Sequence, residues 1–321
     1  MFCLLVFLRR FAYRLGVCKV HRLPVPVIIV GNISVGGTGK TPLVSWLAKE
    51  LVSKGYKPGI VSRGYGGAAK HWPQQVRPDS DPSMVGDEAV LLAQHCKCPM
   101  SVGPDRVVAA QALVDYTDCD LIISDDGLQH YALGRDVEIA VIDGVRRFGN
   151  GHCLPAGPLR EPQSRLKNVD IVITNGMPGP REYRMGLQDG IVHRVGSFGE
   201  TRPLDFFIGQ QVHGVAGIGN PERFFTQLED KGLKVIRHPF PDHYAFSKGD
   251  LEFGDDLNVL MTEKDAVKCL AFTNHRYWYM PVEVDMDERV LLLLLRLIEK
   301  CLTGNSSPEN SSPENSSLGK E

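Results

Sequence analysis

The sequence predicts an α/β protein in two units: a doubly wound parallel sheet, then a smaller α/β unit across a short β linker. Three observations predict it. Apolar, β-branched runs alternate with helical patterns through about residue 175, as in successive βαβ units. From Met177 to Pro203 the pattern weakens, with glycine and proline interspersed and short alternating pieces such as Ile191–Val195. A second alternation of strands and helices begins at His213. The 321 residues suffice for two cores of ordinary size.

The chain opens with an apolar run, residues 2–8, interrupted by Arg9 and Arg10. The run is far short of the roughly 20 residues of a membrane-spanning helix, and its charges follow the apolar stretch, unlike a signal peptide. Aromatic and aliphatic residues mixed with arginines, with no acid before Glu50, suit a helix lying in a membrane interface. The same helix could instead pack on the protein's own core. Pro24 and Pro26 end it.

Val27–Val30 reads as a buried strand, followed by a glycine-rich turn ending in Gly39-Lys-Thr41 and a helix from Leu43 to Val52. Strand, glycine loop and helix in that order are the context of a phosphate-binding loop. Backbone N–H groups from Ser34, Val35, Gly36, Gly37, Thr38 and Gly39 would converge on phosphate oxygens at the helix N-terminus. Lys40 would reach the β- and γ-phosphates of a bound nucleotide, and the Thr41 hydroxyl would ligate Mg²⁺. Ser34 replaces the usual first glycine, and Gly36-Gly37 supplies the backbone freedom instead.

Gly59–Val61 is a second strand, running into Ser62-Arg-Gly-Tyr-Gly-Gly67, a mobile loop in which Arg63 would contact phosphate. Asp87 and Glu88 stand at a helix N-terminus, where carboxylates are favoured as caps whether or not they are catalytic. Asp105–Val114 reads as another helix. The strand beginning at Leu121 ends in Asp125-Asp-Gly-Leu-Gln-His130, the arrangement that delivers an aspartate beside Mg²⁺ at the carboxyl edge of a sheet. Adjacent residues on a strand point oppositely, so one of Asp125 and Asp126 serves the metal and the other a supporting role. His130 reads equally as a capping or packed histidine or as a functional one. Val137–Ile142 and Val169–Ile173 are further strands, and between them a proline-rich loop carries Arg160 and Glu161.

The second unit reads as strand His213–Ile218, a helix opened by Asn220-Pro221, strands Leu233–Arg237 and Asn258–Met261, strand Tyr277–Val284 and a closing helix Asp287–Leu302. The run Leu291–Leu295 is apolar all round, which suits a buried helix. The tail repeats Asn-Ser-Ser-Pro-Glu and reads as disordered. The resulting division is 1–22, amphipathic helix; 23–176, P-loop unit; 177–205, linker with a hairpin; 206–303, C-terminal α/β unit; 304–321, tail. A net charge of −2 argues against general nucleic-acid binding. The eight scattered cysteines lack zinc-ligand spacing and read as reduced thiols.

The ordered set Gly36–Pro42, Ser62–Gly67, Gly86–Glu88, Asp125–His130, Leu154–Glu161, Asn220–Phe225, Phe240–His243 and Thr262–Lys268 closely resembles the tetraacyldisaccharide 4′-kinases of lipid A biosynthesis, from about residue 22 to 300. The resemblance implies transfer of the ATP γ-phosphate to the 4′-hydroxyl of tetraacyldisaccharide 1-phosphate, giving lipid IVA. The work would be done peripherally, at the cytoplasmic face of a Gram-negative inner membrane. It implies two domains facing each other across the site, joined by a two-stranded linker, with ATP and Mg²⁺ as cofactors. Lys40 and Thr41 match the family's phosphate-loop residues, Asp125 and Asp126 its metal-site pair, and Asp87 and His243 a dyad that activates the sugar hydroxyl. Arg63, Arg160 and Glu161, together with Glu88 and His130, are further candidates for phosphate or substrate contact. The leader is shorter than is usual in the family, which favours interfacial attachment over a full anchor. The rival reading is a nucleotide-dependent switch or assembly ATPase or GTPase, which would position water rather than a sugar hydroxyl.

Overall fold

A computed structural model describes residues 2–188, 190–197 and 199–304. Helix α1 (Phe2–Arg14) leads to β1 (Val27–Gly31), and α2 (Lys40–Ser53) follows the glycine-rich turn. Next come β2 (Pro58–Ser62), β3 (Gln74–Val76), α3 (Pro82–Val85), α4 (Asp87–Cys96), β4 (Met100–Val102) and α5 (Arg106–Tyr116). The strands β5 (Leu121–Ser124), β6 (Val137–Asp143), β7 (Ile171–Asn175) and β8 (Tyr183–Gln188) complete this stretch.

In the first sheet β1 lies between β5 and β6 and parallel to both, with Ile29 opposite Ser124 and Ile28 opposite Val137. β1, β2, β5 and β6 are buried along their whole length, as strands covered on both faces must be. The two-residue period sorts them. Ile28 and Val30 join a core with Leu43 and Leu47 of α2 and Val90 of α4, while Val27 and Ile29 join one with Ala109 and Leu113 of α5. The loops after β1, β2 and β5 therefore leave from one carboxyl edge, where open α/β sheets bind ligands.

The second sheet contains β9 (Ile191–Arg194), β10 (Thr201–Pro203), β11 (Gln211–Ala216), β12 (Lys234–Pro239), β13 (Asn258–Thr262) and β14 (Tyr277–Met280), in the order β10-β9-β14-β13-β11-β12. Helix α6 (Pro221–Asp230) joins β11 to β12, and a single turn, α7 (Glu263–Ala266), follows β13.

Two expectations are corrected. The strand expected over Tyr277–Val284 breaks at Pro281, which has no N–H for a ladder. β14 stays in the second sheet, but β15 (Glu283–Met286) crosses back and pairs antiparallel with β8 at the edge of the first, nine-stranded sheet. Helix α8 (Glu288–Gly304) follows it, and Val290, Leu294 and Ile298, spaced four apart, enter the first core. Residues 283–304 thus belong with the first sheet, not with a unit spanning 206–303. Nor is α8 buried all round, since Leu292 is 59% exposed. The expected hairpin is also redistributed: β8 and β9 join different sheets, and the antiparallel pair within 177–205 is β9 with β10. Outgoing β8 and returning β15 form a two-stranded crossing between the units. The tail expected to be disordered lies, beyond Gly304, outside the described residues.

Candidate active site

The phosphate loop is held from both ends. Asn32, buried just after β1, donates from Nδ2 to Thr38 Oγ1 at 3.3 Å and to the Gly36 carbonyl at 3.4 Å. Asn175, at the end of β7, donates to the Thr38 carbonyl at 3.4 Å. Gly39 has φ +93°, and a Cβ there would come within 2.8 Å of Asn175 Nδ2 and Met185 Cε, so only glycine fits. Residues Gly36 to Thr41 line a cleft; Ser34 instead bridges to Leu159, and Val35 N–H donates to the Pro158 carbonyl at 2.8 Å. Those two residues form the outer flank of the loop, backed by the proline-rich segment.

Asp125 and Asp126 both lie beyond the end of β5, in the turn that follows it, and their surroundings differ. Asp126, at φ +49°, accepts from Arg160 Nη1 at 2.9 and 3.1 Å and lies 3.6 Å from Lys40 Nζ. Burial pushes its carboxyl up, but Lys40 and Arg160 outweigh this and hold it below its ordinary value. Asp125 is 2% exposed, takes a long bond from Ser62 Oγ at 3.4 Å, and leaves Oδ1 without a hydrogen-bond partner. Burial, with the nearby Glu88 charge, pushes it up to about 7. A dry, unsatisfied carboxylate oxygen is costly unless something positive meets it.

At the opposite wall the first unit meets the second. Asp87 begins α4 after Gly86, whose φ of +95° and close approach to the Tyr65 carbonyl exclude a side chain. Asp87 is the first residue of α4, whose N-cap is Gly86, and its Oδ1 accepts the N–H of the next residue, Glu88, at 2.8 Å. The catalytic reading has its partner as well: His243 Nδ1, from the loop after β12, lies 3.0 Å from both Asp87 oxygens. Burial pushes the Asp87 carboxyl up, but the bond from His243 and the charges of Lys264, His243 and Lys268 hold it below its ordinary value. The same bond raises His243 above its ordinary value. His243 Nε2 lies 3.3 Å from Lys264 Nζ, which also binds Glu88 at 3.2 Å and Asp242 at 3.1 Å. The Tyr65 ring leans on His243 at 5.0 Å, which places the loop expected to be mobile against the dyad.

Of the further candidates, Arg63, Glu88, His130 and Arg160 all line the cleft. Burial and the Arg106 charge push His130 down to about 4, so it is a neutral ring at neutral pH. Glu161 is corrected. It is fully buried away from the cleft, accepting from Gln129 Nε2 at 2.8 Å and from the Tyr131 hydroxyl, with Arg165 at 3.6 Å and Arg10 of α1 at 3.7 Å.

The sequence reading assigned no role to Arg106, Lys264 or Lys268. Arg106 lines the cleft at 4% exposure, between the charges of Asp125 and Asp126 and that of Arg63, and its Nε has no partner. One signal could have found it: a cation in the first turn of a helix opposes the helix dipole and calls for another reason to be there.

The matches to known proteins agree with this geometry. A family model described as tetraacyldisaccharide-1-P 4′-kinase matches residues 1–299. The chain is 57% identical to a tetraacyldisaccharide 4′-kinase of Nitrosococcus oceani, covering 94% of this chain and 88% of that one. It is 56% identical to the enzyme of that name from Methylobacillus flagellatus, covering 94% and 91%. Among solved structures it resembles LpxK from Aquifex aeolicus in complex with ATP, at TM-score 0.77 and 27% identity over 92% of this chain and 96% of that one. A phosphate loop facing an Asp–His pair across one cleft, and matches of this extent, place the chain in the tetraacyldisaccharide-1-P 4′-kinase family.

Proposed function

We propose that this chain transfers the γ-phosphate of ATP to the 4′-hydroxyl of tetraacyldisaccharide 1-phosphate, giving lipid IVA. The observation that supports this most is the hydrogen bond between Asp87 of the first unit and His243 of the second, in the wall of the cleft that holds the phosphate loop. A carboxylate only accepts, so Nδ1 carries the hydrogen and Nε2, now facing Lys264 Nζ at 3.3 Å, is the nitrogen that a substrate hydroxyl would meet in place of that lysine. With His243 oriented by Asp87, Nε2 would take the 4′-hydroxyl proton as the oxygen attacks phosphorus. Lys40 would neutralise the phosphate charge that grows on the leaving side. A switch ATPase or GTPase is not favoured, because it has no use for a proton acceptor shared between two units and aimed at an alcohol.

Mg²⁺ fits the residues present. The Thr41 hydroxyl and Asp125 would hold it, and the buried, unpartnered Asp125 Oδ1 is the atom that a hard cation would satisfy. When bound it supplies charge neutralisation across the β- and γ-phosphates. Arg160 keeps Asp126 occupied, so we assign the ligand role to Asp125.

The membrane surface is the proposed second partner. Phe7, Leu8 and Phe11 of α1 are about half exposed or more, Phe7 and Phe11 stack at 6.1 Å, and the helix has no acidic residue. Such a face suits the interface of the cytoplasmic leaflet of a Gram-negative inner membrane. Among the described residues no helix is long and apolar enough to cross a membrane. The test is γ-phosphate transfer to detergent-dispersed tetraacyldisaccharide 1-phosphate. A phosphorylated lipid product is expected, and ATP hydrolysis indifferent to lipid, with no such product, would overturn the reading.

A further inference from the structure

Helix α4 is fastened to the second unit at both ends, and only one fastening is explained by the chemistry above. At its N-terminal end Asp87 meets His243, and Glu88 meets Lys264. At its C-terminal end His95 Nε2 lies 2.6 Å from Glu263 Oε1. The eight steps from Asp87 to His95 span about 12 Å of helix. Beside the two-stranded crossing, one attachment would leave the units room to pivot; two, separated by that length, set an orientation.

The second fastening reaches further than one pair. A carboxylate only accepts, so His95 Nε2 carries the hydrogen, and Nδ1 faces Ser45 Oγ at 3.4 Å. Ser45 is on α2, one turn beyond Thr41, in the helix that begins at the phosphate loop. The other oxygen of Glu263 lies 3.4 Å from the N–H of Val282, just ahead of β15, where the chain returns to the first sheet. The Glu263 side chain is 7% exposed and that of His95 23%. Glu263 is therefore joined to α2 through His95, to α4 directly, and to the crossing between the units. Its chain neighbour Lys264 makes the contacts to Glu88, Asp242 and His243, so displacing Glu263 displaces the partners of the dyad.

We propose that His95 and Glu263 are positioning residues for phosphoryl transfer, holding the second unit at the orientation in which His243 meets Asp87. This rests on the kinase reading given above. Misplacing a reacting group by about 1 Å can cost 10²-fold in rate, so loosening this attachment acts on turnover. The phosphate loop sits wholly in the first unit, and although Ser45, His95 and Glu263 also line the cleft, its grip on ATP is expected to be kept.

The experiment compares full-length wild type, His95→Leu, His95→Gln and Glu263→Gln for lipid phosphorylation and ATP affinity, then repeats His95→Leu in a His243→Ala background. His95→Leu is expected to lower kcat about tenfold or more with the Kd for ATP unchanged. The amide of His95→Gln can still donate to Glu263 and recovers most of that loss. With His243 already removed, His95→Leu costs nothing further, a non-additivity that a purely structural role would not produce. Wild-type kcat in both His95→Leu and Glu263→Gln overturns the proposal, as does an equal loss with and without His243. Should His95→Leu fail to fold, Glu263→Gln is carried through the same cycle. The wild-type run separates the two failures: no lipid product from it overturns the kinase reading, whereas product with unaffected variants overturns the positioning pair.

Discussion

His243 Nδ1 lies 3.0 Å from each oxygen of the Asp87 carboxylate, joining a loop of the second unit to the first residue of α4. The hydrogen bond stabilises the protonated ring and raises its pKa, against the opposing effects of burial and Lys264. The proton acceptor is the deprotonated ring, so kcat should rise with pH through a value above about 6.5, the ordinary histidine pKa. Asp87→Asn removes the stabilising charge, so the acid limb should move to lower pH even as the plateau falls. Asp87→Ala and His243→Ala should each lower kcat by about 10²-fold or more. Rate–pH profiles of the wild type and Asp87→Asn decide it: an acid limb that does not move excludes His243 as the titrating group.

Arg106 offers a sharper test, because its burial has two possible meanings. It lies beside Asp125 and Asp126 and holds the Asp125 carboxyl lower than burial alone would leave it. If it faces the transferring phosphate, Arg106→Ala should lower kcat by about 10²- to 10³-fold, the usual cost of one preorganised donor. Arg106→Lys should recover only part, since a point charge lacks the guanidinium fork. Kinetics and thermal melts on the same samples settle the meaning. A lowered Tm with unchanged kcat would make it a core cation and nothing more.

What local pattern can reveal, and what it cannot, is visible in these residues. Val27–Val30 and Gly36–Thr41 were legible because a strand buried on both faces and a turn needing glycine each leave a short-range mark. The place of Asp125 was legible because it directly follows such a strand. Arg106 was not, since its neighbours Asp125 and Asp126 are about twenty residues away and only the packing of β4 and β5 around β2 brings them together. The return of β15 to the first sheet was hidden for a related reason: a proline within an apolar run marks a break but not the sheet the chain joins next. Glu161 misled because a charge beside a site and a charge buried behind it look alike in one dimension.

That distinction is testable at Glu161 itself. The carboxylate is fully buried, with the Gln129 amide, the Tyr131 hydroxyl, Arg165 and Arg10 around it. Glu161→Ala would leave the Gln129 amide and the Tyr131 hydroxyl without the acceptor they share and take one of two carboxylates from Arg165, which keeps Glu138. Leaving a buried donor unsatisfied costs about 1–3 kcal/mol. Chemical denaturation should show that loss, and the KM for lipid should stay near wild type. An unchanged denaturation midpoint with a raised KM would return Glu161 to the substrate site.

The final prediction concerns which unit owns the C-terminal helix. Leu294 is completely buried in the core formed by α2, α4 and the first sheet, one turn from Val290 and one from Ile298. Leu292, two residues away, is 59% exposed. Leu294→Ala should therefore cost about 2–5 kcal/mol, the range for a leucine removed from a tight core. Leu292→Ala should stay within about 0.5 kcal/mol. Hydrogen exchange locates the damage as well as sizing it. In Leu294→Ala the amides of β6, β7 and β8 should lose protection, because Val141, Ile173 and Met185 share a core with Leu294, while β11 and β13 keep theirs. Protection lost first in β11 and β13 would mean that α8 stabilises the second unit, and the assignment of residues 283–304 to the first sheet would fall.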